Sequence, residues 1–460
     1  MTKLRLGLTL TSLVAVALYA CGSSSDDAPS GGGGNGAPVA SYTPKRCDYA
    51  VSLPESVEDA TMDGRDVGAE PTPKNVHVSW AGPPSSSFAV NWGTGLDTRL
   101  TQVLYGTDPA AVAAADRAGA GVSVQLGHTF IFGSSSPLYA DQKARVHEGH
   151  VCGLEPGTTY YYKVGGPGNW SAVYDVATAP APEKTTPFRF VLSGDSRGDP
   201  GAFAEIQRAA RDAAADFQIF TGDAVMVGAN QLNWDEFFQA KAGSFAAEEA
   251  LARIPFMTVV GNHEALALNY FVQFAFPGEE TEGESPDSRG EEWYSFQYGN
   301  AYFLMLNDTV TDQNSFAREA AWMKTKLDGL DRTKIDWVFA VHHRPLYTCS
   351  NHSPLATQVD LWGKAYDEHE VDMVLAGHNH CYERSKPIRA GVEAPMGSGT
   401  IYVTAGGAGA PLYSTGTDCP LEQITEKTRG YVIIDIDGKK LDYRALRNDA
   451  SEIESFSLMK

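Results

Sequence analysis

The sequence is short of positive charge. Its 36 lysine and arginine residues stand against 57 aspartate and glutamate residues, and the formal net charge is −21. Binding to nucleic acid or to an anionic lipid surface depends on basic residues, so we expect neither a nucleic acid partner nor direct binding to lipid head groups. An acidic protein can still act on small phosphorylated substrates, because bound cations invert the local field.

Long apolar runs are also scarce. One lies near the start of the chain, at residues 6–20, and it follows Lys3 and Arg5. Because this run is too short to span a bilayer and has basic residues before it, residues 1–21 are predicted to be an export signal. No other segment of the sequence is long and apolar enough to cross a membrane.

The residues around Cys21 suggest a lipid anchor. Leu18-Tyr19-Ala20-Cys21 resembles the lipobox of bacterial lipoproteins, in which the cysteine becomes the lipid-modified N-terminus. An ordinary cleaved signal with a chance cysteine is the alternative. Residues 22–71, which begin with a stretch of Ser, Gly, Asp and Pro, are predicted to be a flexible tether and an N-terminal extension. We therefore expect an exported protein, periplasmic or on the cell surface, that contacts the membrane only through a lipid on Cys21.

Cysteines are few. If Cys21 is acylated, an exported context still permits at most two disulfides, and their pairing stays open. Cys381 lies beside a candidate metal ligand, but we interpret it as a structural residue rather than a soft ligand. The five remaining cysteines are Cys47, Cys152, Cys349, Cys381 and Cys419.

Residues 72–180 have the pattern of an all-β domain. Short, partly alternating apolar runs are separated by turns that contain Gly, Pro, Ser and Asn, which favours a β-sandwich. The stretch 108–132 has no clear assignment, and the Pro-rich residues 178–187 predict a domain boundary. The predicted strands are residues 76–80, 88–92, 102–105, 145–151, 159–164 and 172–177.

After residue 187 predicted strands alternate with predicted helices. This alternation indicates an α/β domain with stacked sheets and covering helices. The predicted helices are residues 203–214, 234–240, 316–327 and 357–370, and the predicted C-terminal strands are residues 400–404 and 431–436.

Five apolar runs in this second region end in side chains that bind metals or phosphate. Because the carboxyl ends of parallel strands share one edge of a sheet, we expect these side chains to converge on one crevice. Each ending is weak evidence alone, but their ordered co-occurrence indicates a metal-dependent phosphoesterase. The endings are Asp195 after residues 188–193, Asp223 after 217–221, Asn262-His263-Glu264 after 255–260, His342-His343 after 337–341, and His378-Asn379-His380 after 371–376.

In their order these blocks resemble those of the calcineurin-like metallophosphoesterases, and within that family the purple acid phosphatases. Residues 377–384 are close to the last block of the family, and residues 153–164 look like a loop and strand of a fibronectin type III domain. The resemblance implies a fibronectin-like sandwich over residues 72–180. It also implies a four-layer α/β/β/α metallophosphoesterase domain over residues 187–450.

The resemblance further implies a centre of two metal ions. Carboxylate, amide and imidazole ligands suit Fe, Zn or Mn, and one carboxylate can hold two ions about 3.5–4 Å apart. His342 competes with His343 as a ligand, and we prefer His343 because the family's block begins there. The implied ligands are Asp195, Asp223 and His380 for the first ion, and Asp223, Asn262, His343 and His378 for the second.

The implied reaction is an in-line attack on phosphorus by a metal-bound hydroxide. His263 and His352 match family positions that contact phosphate and help to protonate the leaving alkoxide. An ordinary surface-loop histidine is the alternative for His352. Glu264 is predicted to orient His263.

The sequence departs from the purple acid phosphatases at two positions. Met226 stands where the family has the tyrosine that ligates ferric iron, so we expect a colourless protein, because a thioether is a poor ligand for a hard ion. Arg197 stands where the purple branch has glycine. Arg197 is a candidate for binding a substrate oxygen, and a solvent-facing arginine is the alternative.

Three functions fit these residues. The leading one is an exported phosphomonoesterase. A phosphodiesterase or nucleotidase would use the same residues with different pocket walls. A lipid-anchored binding protein with a degenerate metal site is the third, and the number of convergent ligands weighs against it.

Overall fold

The computed structural model describes residues 41–134, 136–182, 185–279, 283–416 and 419–460. The predicted signal peptide and the first part of the predicted tether lie outside these residues. In the described part of the chain, no helix has the length and apolar character needed to span a bilayer.

The first architecture along the chain is a pair of five-stranded sheets. The stretch 108–132, which the sequence did not assign, forms the short helix Pro109–Ala114 and two strands that complete these sheets. One sheet has the spatial order Glu58–Met62, His128–Gly133, Lys143–Cys152, Ser87–Thr94 and Lys74–Ser79. The other contains Asn169–Trp170, Thr159–Gly166, Gln102–Gly106 and Ser123–Leu126, with Tyr174–Ala177 also paired to Thr159–Gly166.

Two larger sheets form the second architecture. Three neighbouring strands of the first and four of the second run parallel, and antiparallel strands extend each sheet. The six-stranded sheet has the order Phe256–Thr258, Phe217–Phe220, Phe188–Ser193, Gly430–Asp437, Lys440–Arg447 and Glu452–Met459. The seven-stranded sheet has the order Tyr294–Tyr298, Ala301–Met305, Trp337–Val341, Met373–Ala376, Ile401–Ala405, Tyr382–Ser385 and Glu422–Glu426.

Helices cover the outer faces of these sheets. The predicted helix 357–370 is interrupted by a π-helical turn, Val359–Gly363, which seats the fully buried Trp362 so that its indole N–H donates to the Phe316 carbonyl at 3.1 Å. The helices are Pro200–Asp212, Gln231–Phe238, Glu248–Leu251, Leu268–Gln273, Gln313–Asp328, Ala356–Gln358 and Lys364–Glu368. Short hairpins are Ser41–Tyr42 with Val51–Ser52, Lys241–Ala242 with Phe245–Ala246, and Ile388–Arg389 with Val392–Glu393, and Pro137–Tyr139 is a 3₁₀ turn.

Aromatic side chains fill the space between the two large sheets. The Phe190 ring lies 5.4 Å from the rings of Phe303 and Phe339 on the opposite sheet, edge to face. Phe217 makes the same contact with Phe303. Such pairs add to the stability gained from burial and fix one sheet against the other. The four-layer α/β/β/α arrangement predicted from the sequence is confirmed.

Two disulfides form among the five cysteines. Cys47 pairs with Cys152, which ties the N-terminal extension to the β-sandwich, and Cys349 pairs with Cys419. Cys381 is a free, buried thiol, in line with the structural role expected for it.

Candidate metal centre

The five polar strand endings meet, but they come from two sheets rather than one. Asp195, Asp223 and Asn262 follow three parallel strands of the six-stranded sheet, whereas His343 and His378 follow two of the seven-stranded sheet. The prediction that one sheet edge carries all five endings is therefore wrong. The convergence holds because the two sheets face each other and their carboxyl edges lie side by side.

Three of the candidate ligands have unusual backbone conformations. Asp195, Asp223 and His378 have φ angles of +60°, +56° and +65°. A left-handed conformation costs a non-glycine residue on the order of 1–3 kcal/mol, and such residues cluster at functional sites. Gly222 precedes Asp223 at φ +86°, and a Cβ there would lie 2.8 Å from Gly261, so two site loops touch through glycine alone. The tight turns aim the side chains of all three residues into the crevice.

We call Asp195, Asp223 and His380 the first-metal group. Each offers a ligand atom, and these atoms lie within 4.8 Å of one another. Asp195 Oδ1 is buried, lacks a hydrogen-bond partner and lies 3.5 Å from His380 Nε2. An unpartnered buried carboxylate oxygen beside an imidazole nitrogen is the arrangement that a cation would satisfy.

We call Asn262, His343 and His378 the second-metal group, with Asp223 shared between the groups. His343 Nε2 lies 2.9 Å from Asn262 Oδ1, 3.1 Å from His378 Nδ1 and 3.4 Å from Asp223 Oδ1. Four ligand-type atoms therefore lie close together. The competing residue His342 faces Asp308, Trp362 and Tyr366 on the other side of the strand, so it is not part of this group.

Backbone carbonyls orient three of the histidine rings. His343 Nδ1 lies 2.8 Å from the Thr221 carbonyl, His380 Nδ1 lies 2.7 Å from the Pro411 carbonyl, and His263 Nδ1 lies 2.6 Å from the Met226 carbonyl. A carbonyl only accepts, so each Nδ1 must carry its proton and each Nε2 is directed at the crevice. Metal-binding histidines are oriented in this way. The residues present therefore fit a metal ion.

The charges of the site favour a cation. Burial alone would lower the pKa of His343, but the carboxylates of Asp223 and Asp195 raise it to about 10. Burial and the positive charge of His343 lower the pKa of His378 to about 2. A proton on His343 Nε2 thus points at Asn262 and His378, in the position that a metal ion would take.

Glu264 has a different role from the one predicted. Its carboxylate does not touch the His263 ring but accepts three backbone N–H groups, from Asp223 at 2.9 Å, Gly261 at 2.8 Å and Val225 at 3.3 Å. Burial and the nearby Asp223 carboxylate raise its pKa to about 7. Glu264 therefore joins the loops that carry Asp223 and Asn262, and the His263 ring is oriented by the Met226 carbonyl instead.

Replacing Glu264 with alanine should loosen these loops. Three buried N–H groups would lose their acceptor, and loss of such supporting contacts lowers metal affinity or activity by about 10–100-fold. Glutamine can keep two of the three hydrogen bonds and should lose less. Metal affinity measured by calorimetry on Glu264→Ala and Glu264→Gln checks this order, and equal losses in both variants would contradict it.

The two histidines predicted to contact phosphate lie at the rim of the centre. His263 is partly exposed, and its Nε2 lies 3.9 Å from Asp223 Oδ2. The His352 ring lies 4.3 Å from the His378 ring and 5.4 Å from the Tyr413 ring, between centroids. Burial and the surrounding positive groups lower the pKa of His352. The structure thus brings His352 to the centre rather than to a remote surface loop.

Arg197 lies inside the centre, so the solvent-facing alternative is wrong. Its side chain is 12% exposed, and Nε lies 3.2 Å from Asp223 Oδ2. Nη2 lies 3.1 Å from His380 Nε2, and Nη1 lies 3.9 Å from Met226 Sδ. The two residues that depart from the family pattern are therefore in contact with each other, and Arg197 also contacts Asp223 and His380 of the first-metal group.

Sequence reasoning missed several supporting residues. Asp308 follows the strand Ala301–Met305, and its carboxylate accepts from Arg344 N at 2.6 Å and Gln358 Nε2 at 3.0 Å. The apolar run before Asp308 is the sequence feature that could have indicated it. Tyr413 stacks on His380 with 4.0 Å between ring centroids. No local pattern marks Tyr413, because it belongs to a loop far along the chain.

Comparison with known proteins identifies the family. Residues 73–178 match the family described as purple acid phosphatase, N-terminal domain, and residues 188–382 match the calcineurin-like phosphoesterases. The chain is a calcineurin-like phosphoesterase of the purple acid phosphatase type. The prediction of a metal-dependent phosphoesterase, made from the five strand endings, is therefore confirmed at the level of the family.

Individual relatives of this phosphoesterase are distant. Purple acid phosphatase 18 of Arabidopsis thaliana is 27% identical over 348 residues, which are 73% of this chain and 71% of the relative. Human acid phosphatase type 7 is 26% identical over 339 residues, 69% of this chain and 71% of the relative. Both carry phosphatase names, in keeping with a metal-dependent phosphoesterase.

Solved structures agree on the fold. A purple acid phosphatase from yellow lupin seeds superposes with a TM-score of 0.72 at 19% identity, covering 84% of this chain and 74% of that one. The structure of PhoD superposes with a TM-score of 0.62 at 14% identity, covering 86% and 92%. At these identities the likeness concerns the fold alone.

Proposed function

We propose that this phosphoesterase hydrolyses phosphate monoesters of small molecules, with catalytic metal held at the centre that the first-metal and second-metal groups form together. The observation that carries the proposal is the convergence of the Nε2 atoms of His343 and His380 on the buried carboxylates of Asp223 and Asp195 and on the amide oxygen of Asn262. Bound ions would polarise phosphoryl oxygens and lower the pKa of a water held at the centre.

The protein residues would position the substrate and move a proton. His263 and His352 stand at the rim, with His263 anchored through Nδ1 and its Nε2 directed at the centre. A phosphate oxygen bound there would lie within reach of both rings, and a ring that carries a proton on the nitrogen facing the centre can deliver it to the leaving alkoxide. The backbone N–H of His352 donates to Asn379 Oδ1 at 2.9 Å, which holds its loop against the block that contains His378.

Export and lipid anchoring are part of the proposal. Two disulfides, Cys47–Cys152 and Cys349–Cys419, support folding in an oxidising compartment. The membrane contact would be a lipid on Cys21, and the net charge of −21 disfavours binding to anionic surfaces. Mass spectrometry of the mature N-terminus after membrane extraction tests this, and an unmodified N-terminus downstream of Cys21 would contradict it.

Metal removal and one ligand variant test the activity. We expect purified protein to hydrolyse p-nitrophenyl phosphate faster than bis(p-nitrophenyl) phosphate, to lose activity with a chelator, and to regain it with Mn²⁺, Zn²⁺ or Fe. Asn262→Ala should lower kcat/KM on the order of a hundredfold or more, whereas Asn314→Ala, at an exposed helix start, should leave it unchanged. Faster diester than monoester cleavage would favour the phosphodiesterase alternative. No hydrolysis with any of these metals would contradict the proposal.

A further inference from the structure

The guanidinium of Arg197 occupies the part of the centre where the first ion would bind. Its Nε and Nη2 atoms lie 3.2 Å from Asp223 Oδ2 and 3.1 Å from His380 Nε2. Asp223 and His380 are two of the three residues of the first-metal group. Their ligand atoms are thus already engaged by a cation that the chain itself supplies.

Charge and geometry both suit a guanidinium in the position of a metal ion. A guanidinium is permanently charged and presents planar N–H donors to carboxylate and imidazole acceptors. The Nδ1 of His380 donates to the Pro411 carbonyl, so the lone pair of its Nε2 accepts a hydrogen bond from Arg197 Nη2, and the same lone pair would otherwise bind a metal. A second positive charge within a few ångströms of the guanidinium would be repelled.

The other departure from the family pattern, Met226, lies beside Arg197. Met226 Sδ lies 3.9 Å from Arg197 Nη1, and in sequence Met226 stands where the resemblance places the tyrosine that ligates iron. A thioether supplies no charge and binds hard ions weakly. The chain has therefore lost one ligand of the first ion and gained a cation beside the position of that ligand.

Asp195 keeps a structural task without a first ion. Its Oδ2 accepts the backbone N–H of His378 at 2.9 Å, and His378 has a φ of +65°. Asp195 therefore holds the left-handed turn that directs His378 towards His343. This contact connects Asp195 to the second-metal group and gives a reason for its presence in a centre with one ion.

We propose that Arg197 replaces the first metal ion, so that the enzyme works with one ion held by Asp223 and the second-metal group. Arg197 supplies the other positive charge and binds a phosphoryl oxygen of the substrate. The inference rests on the proposed hydrolysis of phosphate esters and specifies how the centre performs it. Within the described residues the polar contacts of Arg197 go to Asp223, His380 and Met226, so it touches the second-metal group only through the shared residue Asp223 and leaves Asn262, His343 and His378 free to hold an ion.

Metal stoichiometry tests the replacement independently of activity. Elemental analysis and calorimetric titration with Mn²⁺ or Zn²⁺ should give one equivalent in the wild type and none to a few tenths in Asn262→Ala. Arg197→Gly, which restores the glycine of the purple branch, should bind a second equivalent. Arg429→Gly, a change at an arginine paired with Asp199 outside the two metal groups, is the matched control and should stay at one.

A spectroscopic variant adds a second readout. In Arg197→Gly combined with Met226→Tyr, ferric iron would meet a phenolate, and a visible charge-transfer band should appear that the wild type lacks. Arg197→Gln removes the charge with little change in size, so the inhibition constant for inorganic phosphate should rise about tenfold or more.

Two equivalents in the wild type, or one in a folded Arg197→Gly, would overturn the inference. The number of metal ions bound by the wild type is measured without any variant. The inference can therefore be contradicted even if a variant fails to fold. Two ions together with monoester hydrolysis would leave the proposed function standing. No bound ion and no hydrolysis in the wild type would overturn both proposals.

Discussion

Asparagine in place of His343 is expected to lower kcat/KM for a phosphate monoester about a thousandfold or more. His343 Nε2 is the atom closest to the other members of the second-metal group, and its Nδ1 is anchored on Thr221. Removing it leaves Asn262 and His378 without their common neighbour. A metal ion stabilises transition-state charge by several kcal/mol, and each 1.4 kcal/mol is worth about tenfold in rate.

The neighbouring histidine provides the matched control. His342 is equally buried, but its ring faces Trp362 and Tyr366, away from the centre. His342→Asn should therefore keep its metal and stay within a few fold of wild-type kcat/KM, although repacking of a buried site will lower its melting temperature. Metal content and kinetics on the pair distinguish the two roles. Loss of metal in His342→Asn with retention in His343→Asn would reverse our assignment.

Methionine in place of Arg289 is expected to lower the free energy of unfolding by about 3–5 kcal/mol. Arg289 is 1% exposed and joins the two architectures, with Nη1 3.1 and 3.0 Å from the two Glu148 carboxylate oxygens and Nη2 2.8 Å from the Phe271 carbonyl. Glu148 is fully buried and also accepts from Asn91 at 3.1 Å. Without Arg289 its charge would remain buried and poorly compensated.

The pH dependence follows from the Glu148 pKa. Burial opposes ionisation of Glu148, but Arg289 and the nearby histidines hold its pKa well below the usual range. Because the pKa of Glu148 is lower in the folded protein than in the unfolded one, the ionised carboxylate stabilises the fold at pH values above its unfolded-state pKa, near 4.5. This stabilisation is lost as the pH falls through the pKa of the folded protein. The difference in stability between wild type and Arg289→Met should therefore be largest near neutral pH and shrink below about pH 4.5.

Chemical unfolding of three variants measures this contribution. Lys143→Met removes the exposed Lys143–Glu58 pair, whose side chains are 45% and 63% exposed, and should cost at most about 1 kcal/mol. Arg289→Met with Glu148→Leu removes both charges and should recover part of the loss. A loss in Arg289→Met no larger than that in Lys143→Met would contradict the prediction.

Much of the fold could be predicted because its strands are short apolar runs. The strands Phe188–Ser193 and Trp337–Val341 begin and end where the sequence predicts, since nearly every side chain in them is buried and a polar or metal-binding residue follows shortly after each. The helix Gln313–Asp328 extends a few residues beyond its predicted start because Asp312 caps its N-terminus.

The rest depends on contacts between distant parts of the chain. Periodicity does not distinguish one sheet from two facing sheets, so the prediction of a single sheet edge is wrong, although the two sheets do bring the predicted side chains together. The carbonyl of Pro411 orients the ring of His380, which is 31 residues away in the sequence, and no local sequence pattern predicts this contact. The position of Arg197 against His380 spans 183 residues and likewise appears only in three dimensions.

The six ligand-type side chains are divided between two sheets whose mutual position is set by the rings of Phe190, Phe303 and Phe339. The alignment of the ligands thus depends on the interface between the two sheets. A shift of a fraction of an ångström along this interface would separate carboxylates from imidazoles while the strands of both sheets stayed intact. On heating, catalytic activity should then be lost at a lower temperature than the circular dichroism signal of the strands. Activity would therefore report small changes in the packing between the two sheets.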